Sequence, residues 1–272
     1  MTSFIAAVIQ LNSTSDEGAN LDLAADLITR AAGHGASIVA TPENTNFLGP
    51  HAEKARRAET LAGAVCQRFA ELAQRLRIHL LLGSFNERSA DPGKCHNTSV
   101  LFGPDGSILG VYRKLHLFDV DISPSARFRE SETVVRGTEV VVVEAALGQL
   151  GLSICYDLRF AELYAELRRR GAEVLCIPSA FTLTTGKDHW EPLLRARAIE
   201  TQCYVVAPAQ WGRHDDSGSR ESWGHAMIVD PWGDVVAMAS DGTGLALAEI
   251  DPERVRRVRR AIPVAEHRNL GG

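Results

Sequence analysis

Three residues far apart in the chain each stand where a β-type run ends: Glu43, Lys114 and Cys155. In an open α/β sheet the carboxyl ends of parallel strands line one crevice, so these side chains can meet there. Their types suit one reaction. A thiolate attacks a carbonyl or nitrile carbon, an ammonium group stabilises the negative charge that develops, and a carboxylate takes and returns protons. The combination indicates a hydrolase that works through a covalent intermediate.

Each of these residues, taken alone, also has an ordinary structural interpretation. A glutamate or lysine at a strand end is usually a solvated rim charge, and an isolated cysteine is usually a small apolar filler. Within QLGLSICYDLRFAELYAELRRR, residues 149–170, a buried β-type run gives way at Cys155 to leucines and alanines at helical spacing. A thiol at the amino end of a helix loses its proton easily, because unpaired N–H groups and the helix dipole favour the thiolate. We therefore predict a nucleophilic cysteine at this junction.

The composition limits the possible classes of function. The chain has 272 residues, 45% hydrophobic and 23% charged, and a formal net charge of -5. It can bury one large core, and without a basic excess it is not expected to bind nucleic acid. We expect residues 1–272 to form a single domain with a tail at 263–272, and we find no signal peptide or membrane span. The five scattered cysteines argue against disulfides or a zinc knuckle and favour the cytoplasm.

Hydrophobic periodicity predicts alternating strands and helices with two hairpins, at 96–115 and 224–239, whose similar Pro-x-Gly turns are a weak internal repeat. We also predict a long helix over 53–77, an ordered loop over 116–136 and one strand over 203–209. The remaining predicted strands are 4–11, 36–40, 79–85, 140–144, 150–155, 172–177 and 245–250, and the remaining helices are 20–32, 160–170, 187–202 and 253–260.

The hairpins mean that the sheets cannot be purely parallel. Two mixed sheets packed face to face, with helices on the outer faces, fit both the order of elements and the faint two-fold repeat. We therefore predict an α/β fold of the four-layer α-β-β-α sandwich type. A single doubly wound sheet is the alternative, and it has difficulty placing both hairpins.

Four segments in order resemble the signature motifs of the nitrilase superfamily of carbon–nitrogen hydrolases. They are TPEN at 41–44, YRKLHLFDVD at 112–121, GLSICYDLRF at 151–160, and the run from PSAF at 178 through HW to LLRARAIETQCYVVAPAQ, which ends at 210. The resemblance implies the sandwich fold and a catalytic triad of Glu43, Lys114 and Cys155. It also implies a second glutamate that helps to position the substrate and the lysine. This role falls on Glu130 in the segment FRES, with Glu132 as the nearby alternative.

The resemblance also suggests which residues bind the substrate. The oxyanion is expected between Lys114 and the backbone N–H of Tyr156, and Phe181 and Thr182 are expected in the pocket. For an acid-bearing amide, Arg159 or Arg213 can bind the substrate carboxylate. Arg159 can equally form a salt bridge at the helix start, and Arg213 can be a solvated loop residue. Neither a cofactor nor a metal ion is expected.

Within the superfamily the motifs are most similar to amidases that act on deaminated glutathione. The ω-amidases, which hydrolyse 2-oxoglutaramate and 2-oxosuccinamate, come second, and N-carbamoyl amidohydrolases and nitrilases are further possibilities. Two other classes are an isochorismatase-like hydrolase, which uses aspartate and one sheet, and an inactive binding or scaffold protein. The family resemblance also implies a homodimer or higher homo-oligomer. Leucines of the two helices after Cys155 and Pro178 are candidates for its contacts, although they can equally be core residues: Leu163, Leu167, Leu193 and Leu194.

Overall fold

The structure is a computed structural model that describes residues 2–123, 126–214 and 220–269. Over these ranges the chain forms 16 strands and five α-helices, arranged as two mixed sheets and one small two-stranded sheet. The two large sheets pack face to face. The predicted four-layer sandwich is confirmed, and the alternative of a single doubly wound sheet is wrong.

The first sheet has the strand order β13-β12-β1-β2-β3-β4-β5, and β16 also pairs with β1. Strands β1, β2 and β3 are parallel, whereas β4 and β5 form the first predicted hairpin. Its strands are β1 (Phe4–Leu11), β2 (Ala36–Ala40), β3 (His79–Arg88), β4 (Cys95–Phe102), β5 (Ile108–Arg113), β12 (Ala209–Arg213), β13 (Glu221–Trp223) and β16 (Gly244–Ile250).

The second sheet has the strand order β15-β14-β11-β10-β9-β8. Strands β9, β10 and β11 are parallel, and β14 and β15 form the second predicted hairpin. Its strands are β8 (Val142–Ala145), β9 (Gly148–Leu152), β10 (Val174–Cys176), β11 (Tyr204–Ala207), β14 (Met227–Val229) and β15 (Val235–Met238). Each large sheet therefore combines parallel strands, four in the first sheet and three in the second, with a hairpin, as the internal repeat predicted.

The alternation of side chains along β1 shows how the layers form. Ala7 and Ile9 belong to a core shared with α1 and α2, whereas Ala6 and Val8 face the second sheet. Beyond the second sheet, α3 and α4 bury leucines such as Leu167 and Leu194 in the same inner core. The helices are α1 (Glu17–Gly33), α2 (Ala64–Leu76), α3 (Ala161–Arg169), α4 (Leu183–Thr201) and α5 (Pro252–Ala261).

The predicted helix over 53–77 is wrong in its first half, since α2 begins only at Ala64. The segment before α2 instead pairs with the end of β3. Glu59 N–H donates to the Asn86 carbonyl at 3.1 Å, and Arg88 N–H donates to the Glu59 carbonyl at 2.7 Å. The Glu59 carboxylate also accepts the Val65 N–H at 2.9 Å, which fixes the start of the helix. Tertiary hydrogen bonds therefore override the helical spacing.

Two other predicted elements need correction. The loop over 116–136 contains the two-stranded sheet β6 (Asp119–Ser123) and β7 (Ala126–Arg129). The single strand over 203–209 is divided at Pro208, because β11 lies in the second sheet and β12 in the first. A proline at this point suits a chain that leaves one ladder and joins another.

We searched the helices of the described ranges for a membrane span, and none is both long and apolar enough to cross a bilayer.

Candidate active site

Glu43 lies just beyond β2, in a turn that is pressed against β3. Thr41 Oγ1 accepts the Gly83 N–H at 3.0 Å, and Thr45 N–H donates to the Ser84 carbonyl at 3.0 Å. A Cβ atom on Gly83 would overlap the carbonyl groups of Thr41 and Pro42, so only glycine allows this close approach. The turn thereby holds the Glu43 carboxylate in the interior, where the residue is 3% exposed.

Lys114 directly follows β5, and its ammonium group lies between two carboxylates. Nζ donates to Glu43 Oε1 at 2.9 Å and to Glu130 Oε2 at 2.9 Å, with a longer bond to Glu130 Oε1 at 3.2 Å. Glu130 is buried, whereas its sequence alternative Glu132 is exposed. Three of the residues singled out in the sequence therefore form one hydrogen-bonded group.

The carboxylates determine the charge state of Lys114. Burial alone would lower the pKa of a lysine, but Glu130 and Glu43 more than offset this and raise the pKa of Lys114 well above its ordinary value. Burial likewise favours a higher pKa for Glu130, yet Lys114 and Lys54 bring it below its usual value. At neutral pH the group contains an ammonium ion and a carboxylate.

Asn97 on β4 is part of this group, and the sequence reasoning missed it. Its Nδ2 donates to Glu43 Oε1 at 2.9 Å and to Glu130 Oε1 at 3.2 Å, so one amide links the two acids. The backbone N–H groups of Ala180 and Phe118 occupy the remaining oxygens, at 3.0 Å on Glu43 and 2.7 Å on Glu130. Both oxygens of each acid therefore accept hydrogen bonds, and these bonds hold the two carboxylates in place.

Cys155 lies in a left-handed backbone conformation, with φ of 49°. It begins a 3₁₀ turn, Cys155–Arg159, and its N–H donates to the Pro178 carbonyl at 2.9 Å. The prediction that it starts the regular helix is wrong, because α3 begins only at Ala161. A non-glycine residue in this region of φ is strained by about 1–3 kcal/mol and is found where the surroundings fix it, often at functional sites.

The expected easy deprotonation of the thiol is also wrong. Burial raises the pKa of Cys155 well above its ordinary value, the Glu43 carboxylate raises it further, and Lys114 opposes this only in part. Cys155 and Glu43 line the same cavity. The resting side chain is therefore a thiol with a proton acceptor beside it.

Asp157 fixes the turn that carries Cys155. Its carboxylate accepts the Ile154 N–H at 2.9 Å and the Tyr112 hydroxyl at 2.6 Å. It also bonds His116, through the backbone N–H at 3.0 Å and ring Nδ1 at 2.7 Å. Tyr112 belongs to β5 of the first sheet, so this buried acid ties the two sheets together at the site.

Cys155, Glu43, Lys114 and Glu130 line one cavity of about 250 Å³. Tyr156 forms part of its wall, with its ring 5.0 Å from that of Phe118 in an edge-to-face arrangement. The Arg159 guanidinium lies over the Phe181 ring, with Cζ 5.2 Å from the ring centroid.

Arg159 lines the cavity without a carboxylate partner. Its Nη1 is 3.2 Å from His189 Nδ1, and among the described residues no acidic side chain lies within ion-pair distance of it. The helix-start salt bridge that was the alternative is therefore wrong. A guanidinium held between aromatic faces and open to a cavity can bind an external carboxylate.

The other expected pocket residues divide into two groups. Phe181 and Thr182 line the cavity, and the Thr182 side chain also caps α4. Arg213 is exposed and lies outside the cavity lining. Instead, Lys54, His51 and Arg220 line the cavity, although the sequence reasoning did not single them out.

The described residues also bear on whether the protein can bind a metal ion. Within the part of the chain that the structure describes, no three His, Cys, Asp or Glu side chains are grouped as a metal site would require. His116 stacks on Phe160 with ring centroids 3.7 Å apart, which is a packing role.

A buried thiol beside a carboxylate, with a lysine ammonium bound to that carboxylate, is an arrangement suited to acyl transfer. On a two-sheet sandwich this arrangement fits a hydrolase. The sequence matches the carbon–nitrogen hydrolase family over residues 5–260, and the chain belongs to that family.

Three known proteins illustrate the relationship. The deaminated glutathione amidase of Synechocystis sp. is 46% identical over 271 residues, which cover 98% of this chain and 99% of that protein. The human omega-amidase NIT2 is 41% identical over 97% of this chain and 94% of its own length. The crystal structure of Saccharomyces cerevisiae Nit3, a member of the nitrilase superfamily, has a TM-score of 0.88 at 33% identity and covers 99% of this chain and 97% of that one. The predicted superfamily is confirmed.

Proposed function

We propose that this chain is an amidase in which Cys155 is the nucleophile. Sγ attacks the amide carbonyl carbon while its proton passes to Glu43. The negative charge on the carbonyl oxygen is stabilised by the Lys114 ammonium and the Tyr156 N–H. Glu43 then gives the proton to the leaving nitrogen, the C–N bond breaks, and a thioester remains on Cys155.

Hydrolysis of the thioester uses the same carboxylate. Glu43 takes a proton from water, the resulting hydroxide attacks the thioester carbon, and the proton returns to Sγ as the acid departs. Glu130 keeps Lys114 charged and fixed throughout. The observation that carries this proposal is that Cys155, Glu43 and Lys114 line one cavity, with Lys114 Nζ bonded to Glu43 Oε1 at 2.9 Å.

The substrate that we propose is a small amide whose acyl half bears a carboxylate, with deaminated glutathione as the leading candidate. Arg159 supports an acidic substrate, since it reaches the cavity without an acid partner in the described chain. The choice of deaminated glutathione is supported by a relative of 46% identity that is named as an amidase of this compound. In it, a 2-oxo acid is joined through the amide to cysteinylglycine, and Arg159 would bind the 2-oxo acid carboxylate.

The second candidate is ω-amidase activity on 2-oxoglutaramate or 2-oxosuccinamate, which the omega-amidase relative supports. These substrates offer the same acyl carboxylate to Arg159 but release ammonia. Rates of amine or ammonia release from deaminated glutathione, both 2-oxo amides, an aliphatic amide, an N-carbamoyl amino acid and a nitrile separate the candidates. The proposal requires the highest kcat/KM for deaminated glutathione.

Replacing the nucleophile tests the chemistry itself. We expect Cys155→Ala to lose activity by about 10⁴-fold or more with an unchanged fold, because the thioester cannot form. Cys66→Ala, which removes a thiol from the core beneath α2, is the matched control and keeps its activity. An active Cys155→Ala variant contradicts the proposal, and a wild-type protein that hydrolyses none of these compounds favours the scaffold alternative.

Labelling with iodoacetamide gives an independent check. Cys155 lines the cavity and is 8% exposed, whereas the other four cysteines are at most 2% exposed and lie in the cores. We expect modification of Cys155 alone, read by mass spectrometry of the peptides. Because burial and Glu43 raise the pKa of the thiol, the labelling rate should increase with pH above neutrality.

We also propose that the protein acts in the cytoplasm, as one domain and as a homodimer. Five cysteines without a pairing pattern favour a reducing compartment. Of the leucines considered for a dimer contact, Leu163, Leu167 and Leu194 are buried within the chain, so a dimer must use other side chains of α3 and α4. Light scattering on the purified protein gives the oligomeric state, and fractionation of cells gives the compartment.

A further inference from the structure

The cavity contains a second cation that the proposed mechanism does not use. Lys54 lines the cavity and is only 5% exposed. Within the described ranges, its Nζ has no hydrogen-bond acceptor and no carboxylate within ion-pair distance. A buried ammonium without a partner is costly, so its position calls for a ligand.

Lys54 lowers the pKa of Glu130, yet the hydrogen bonds of this acid come from other donors. One oxygen of Glu130 already accepts from Asn97 and Lys114, and the other accepts from Lys114 and the Phe118 N–H. The effect of Lys54 on Glu130 is therefore one of charge at a distance. Its ammonium hydrogens remain available on the cavity side.

Two other groups near Lys54 complete an anion site. His51 lines the cavity with Nδ1 buried and unbonded in the described structure. Burial, followed by Lys54 and Arg220, lowers the pKa of His51 to about 3, so its ring is neutral and can donate a hydrogen bond. The Arg220 guanidinium donates to the Gly49 carbonyl at the same side of the cavity and adds positive charge there.

This group and Arg159 belong to different parts of the cavity. Arg159 contacts Tyr156, Phe181 and His189, whereas Lys54 is close enough to Glu130 and His51 to lower the pKa of both. Glu130 in turn shares Asn97 and Lys114 with Glu43, the carboxylate that takes and returns protons. The amine leaves on the side of this carboxylate, since Glu43 protonates its nitrogen.

We propose that Lys54, assisted by His51, binds a carboxylate carried by the leaving amine. The substrate is then an amide with a carboxylate in each half, one at Arg159 and one at Lys54. This inference rests on the proposed amidase function and assigns residues to the second carboxylate of its leading substrate, deaminated glutathione. It predicts that peptide-like amines with a free carboxyl end are better leaving groups than ammonia.

Three substrates with the same acyl half test the inference: the 2-oxoglutaryl amide of cysteinylglycine, the same compound with its terminal carboxyl as a carboxamide, and 2-oxoglutaramate. We expect wild-type KM to be about tenfold or more lower for the free carboxylate than for the carboxamide. In Lys54→Met this difference should disappear, while the carboxamide and 2-oxoglutaramate keep their kinetic constants within about twofold. Lys54→Arg should restore part of the preference.

Lys187→Met removes an exposed lysine of α4 and is the control, with wild-type behaviour on all three substrates. Equal wild-type KM for carboxylate and carboxamide overturns the inference and leaves the amidase function intact. An equal loss of kcat on all three substrates in Lys54→Met also overturns it, because Lys54 then acts through Glu130. A wild-type enzyme that cleaves none of the three overturns the amidase function as well.

Discussion

Lys114 and Lys54 are two buried lysines that line the same cavity, yet they differ in their partners. Lys114 lies between the carboxylates of Glu43 and Glu130, with bonds of 2.9 Å to each. Lys54 is almost as buried, at 5% against 2%, and has no acid partner within the described chain. The two lysines are therefore similarly buried, but only Lys114 is paired with carboxylates among the described residues.

The difference separates charges that work within the protein from charges that await a ligand. Removal of a paired buried cation is destabilising, because the acids around it then stay buried without an opposite charge. An unpaired buried cation costs free energy until an anion arrives. Arg159 follows the second pattern, since it also reaches the cavity without a carboxylate among the described residues.

The strongest test of this contrast is Lys114→Met. We expect it to lower the free energy of unfolding by about 3–5 kcal/mol, because two carboxylates remain buried without their cation. It should also lower kcat by about 10³-fold, through loss of oxyanion stabilisation. Urea unfolding and steady-state kinetics measure the two effects.

Lys54→Met is the matched comparison for stability. Removing an unpaired charge should leave the free energy of unfolding unchanged or higher. If Lys54→Met destabilises the fold as much as Lys114→Met does, the two lysines are not different in kind, and the contrast fails.

Arg159→Leu should have the next largest effect. We expect kcat/KM for acid-bearing amides to fall about 10- to 100-fold through a higher KM, since a charge-assisted hydrogen bond to the acyl carboxylate is lost. Hydrolysis of an uncharged aliphatic amide should change little. A uniform loss on charged and uncharged amides would instead show that Arg159 only supports the wall around Tyr156 and Phe181.

His51→Gln should change stability only in acid. Burial and the cations Lys54 and Arg220 lower the pKa of folded His51 from 6.5 to about 3. The unfolded chain takes up this proton as the pH falls below about 6.5, and the folded chain does not until about pH 3. Stability is therefore lost as the pH falls through this window, and His51→Gln should lose less.

Melting temperatures at pH 7.0 and 5.0 measure this difference between wild type and variant. His34→Gln, at an exposed position after α1, serves as the control and should follow the wild type. If the melting temperature falls equally between pH 7.0 and 5.0 in the wild type and in His51→Gln, the His51 ring is more solvated than the structure indicates.

Arg213→Ala should have the smallest effect. Arg213 is exposed on β12 and lies outside the cavity lining, so we expect kcat/KM to stay within about twofold and stability within about 0.5 kcal/mol. Kinetics on the same acid-bearing amide as for Arg159→Leu check this. A tenfold rise in KM would bring Arg213 back as a substrate-binding residue.

The sequence pointed to much of this site because strand ends are visible in a pattern. Glu43, Lys114 and Cys155 each follow a run with strand periodicity, and both hairpins had clear turns. Glu130 came from a motif rather than from periodicity. Asn97 was missed because its contacts with Glu43 and Glu130 depend on the order of strands in the sheet, which the sequence does not show. A polar residue at an inward position of β4 was nevertheless a usable signal.

Lys54 and the state of the thiol depended on tertiary structure. Helical spacing predicted one helix over 53–77, a range that includes Lys54, whereas the bonds of Glu59 to the end of β3 break this helix. The easy deprotonation of Cys155 rested on a helix start, whereas burial and Glu43 decide its pKa. Likewise, the spacing of Arg213 and Arg220 along the chain does not reveal which of them lines a cavity.

The bond from the Tyr112 hydroxyl to Asp157 joins a strand of the first sheet to the turn of the nucleophile. Glu43 and Lys114 come from that sheet and Cys155 from the other, so neither half of the chain carries the complete reaction. A chain cut between β7 and β8 should yield two fragments that are each inactive. The rate of amide hydrolysis by their mixture would then measure how much of the two halves has reassembled.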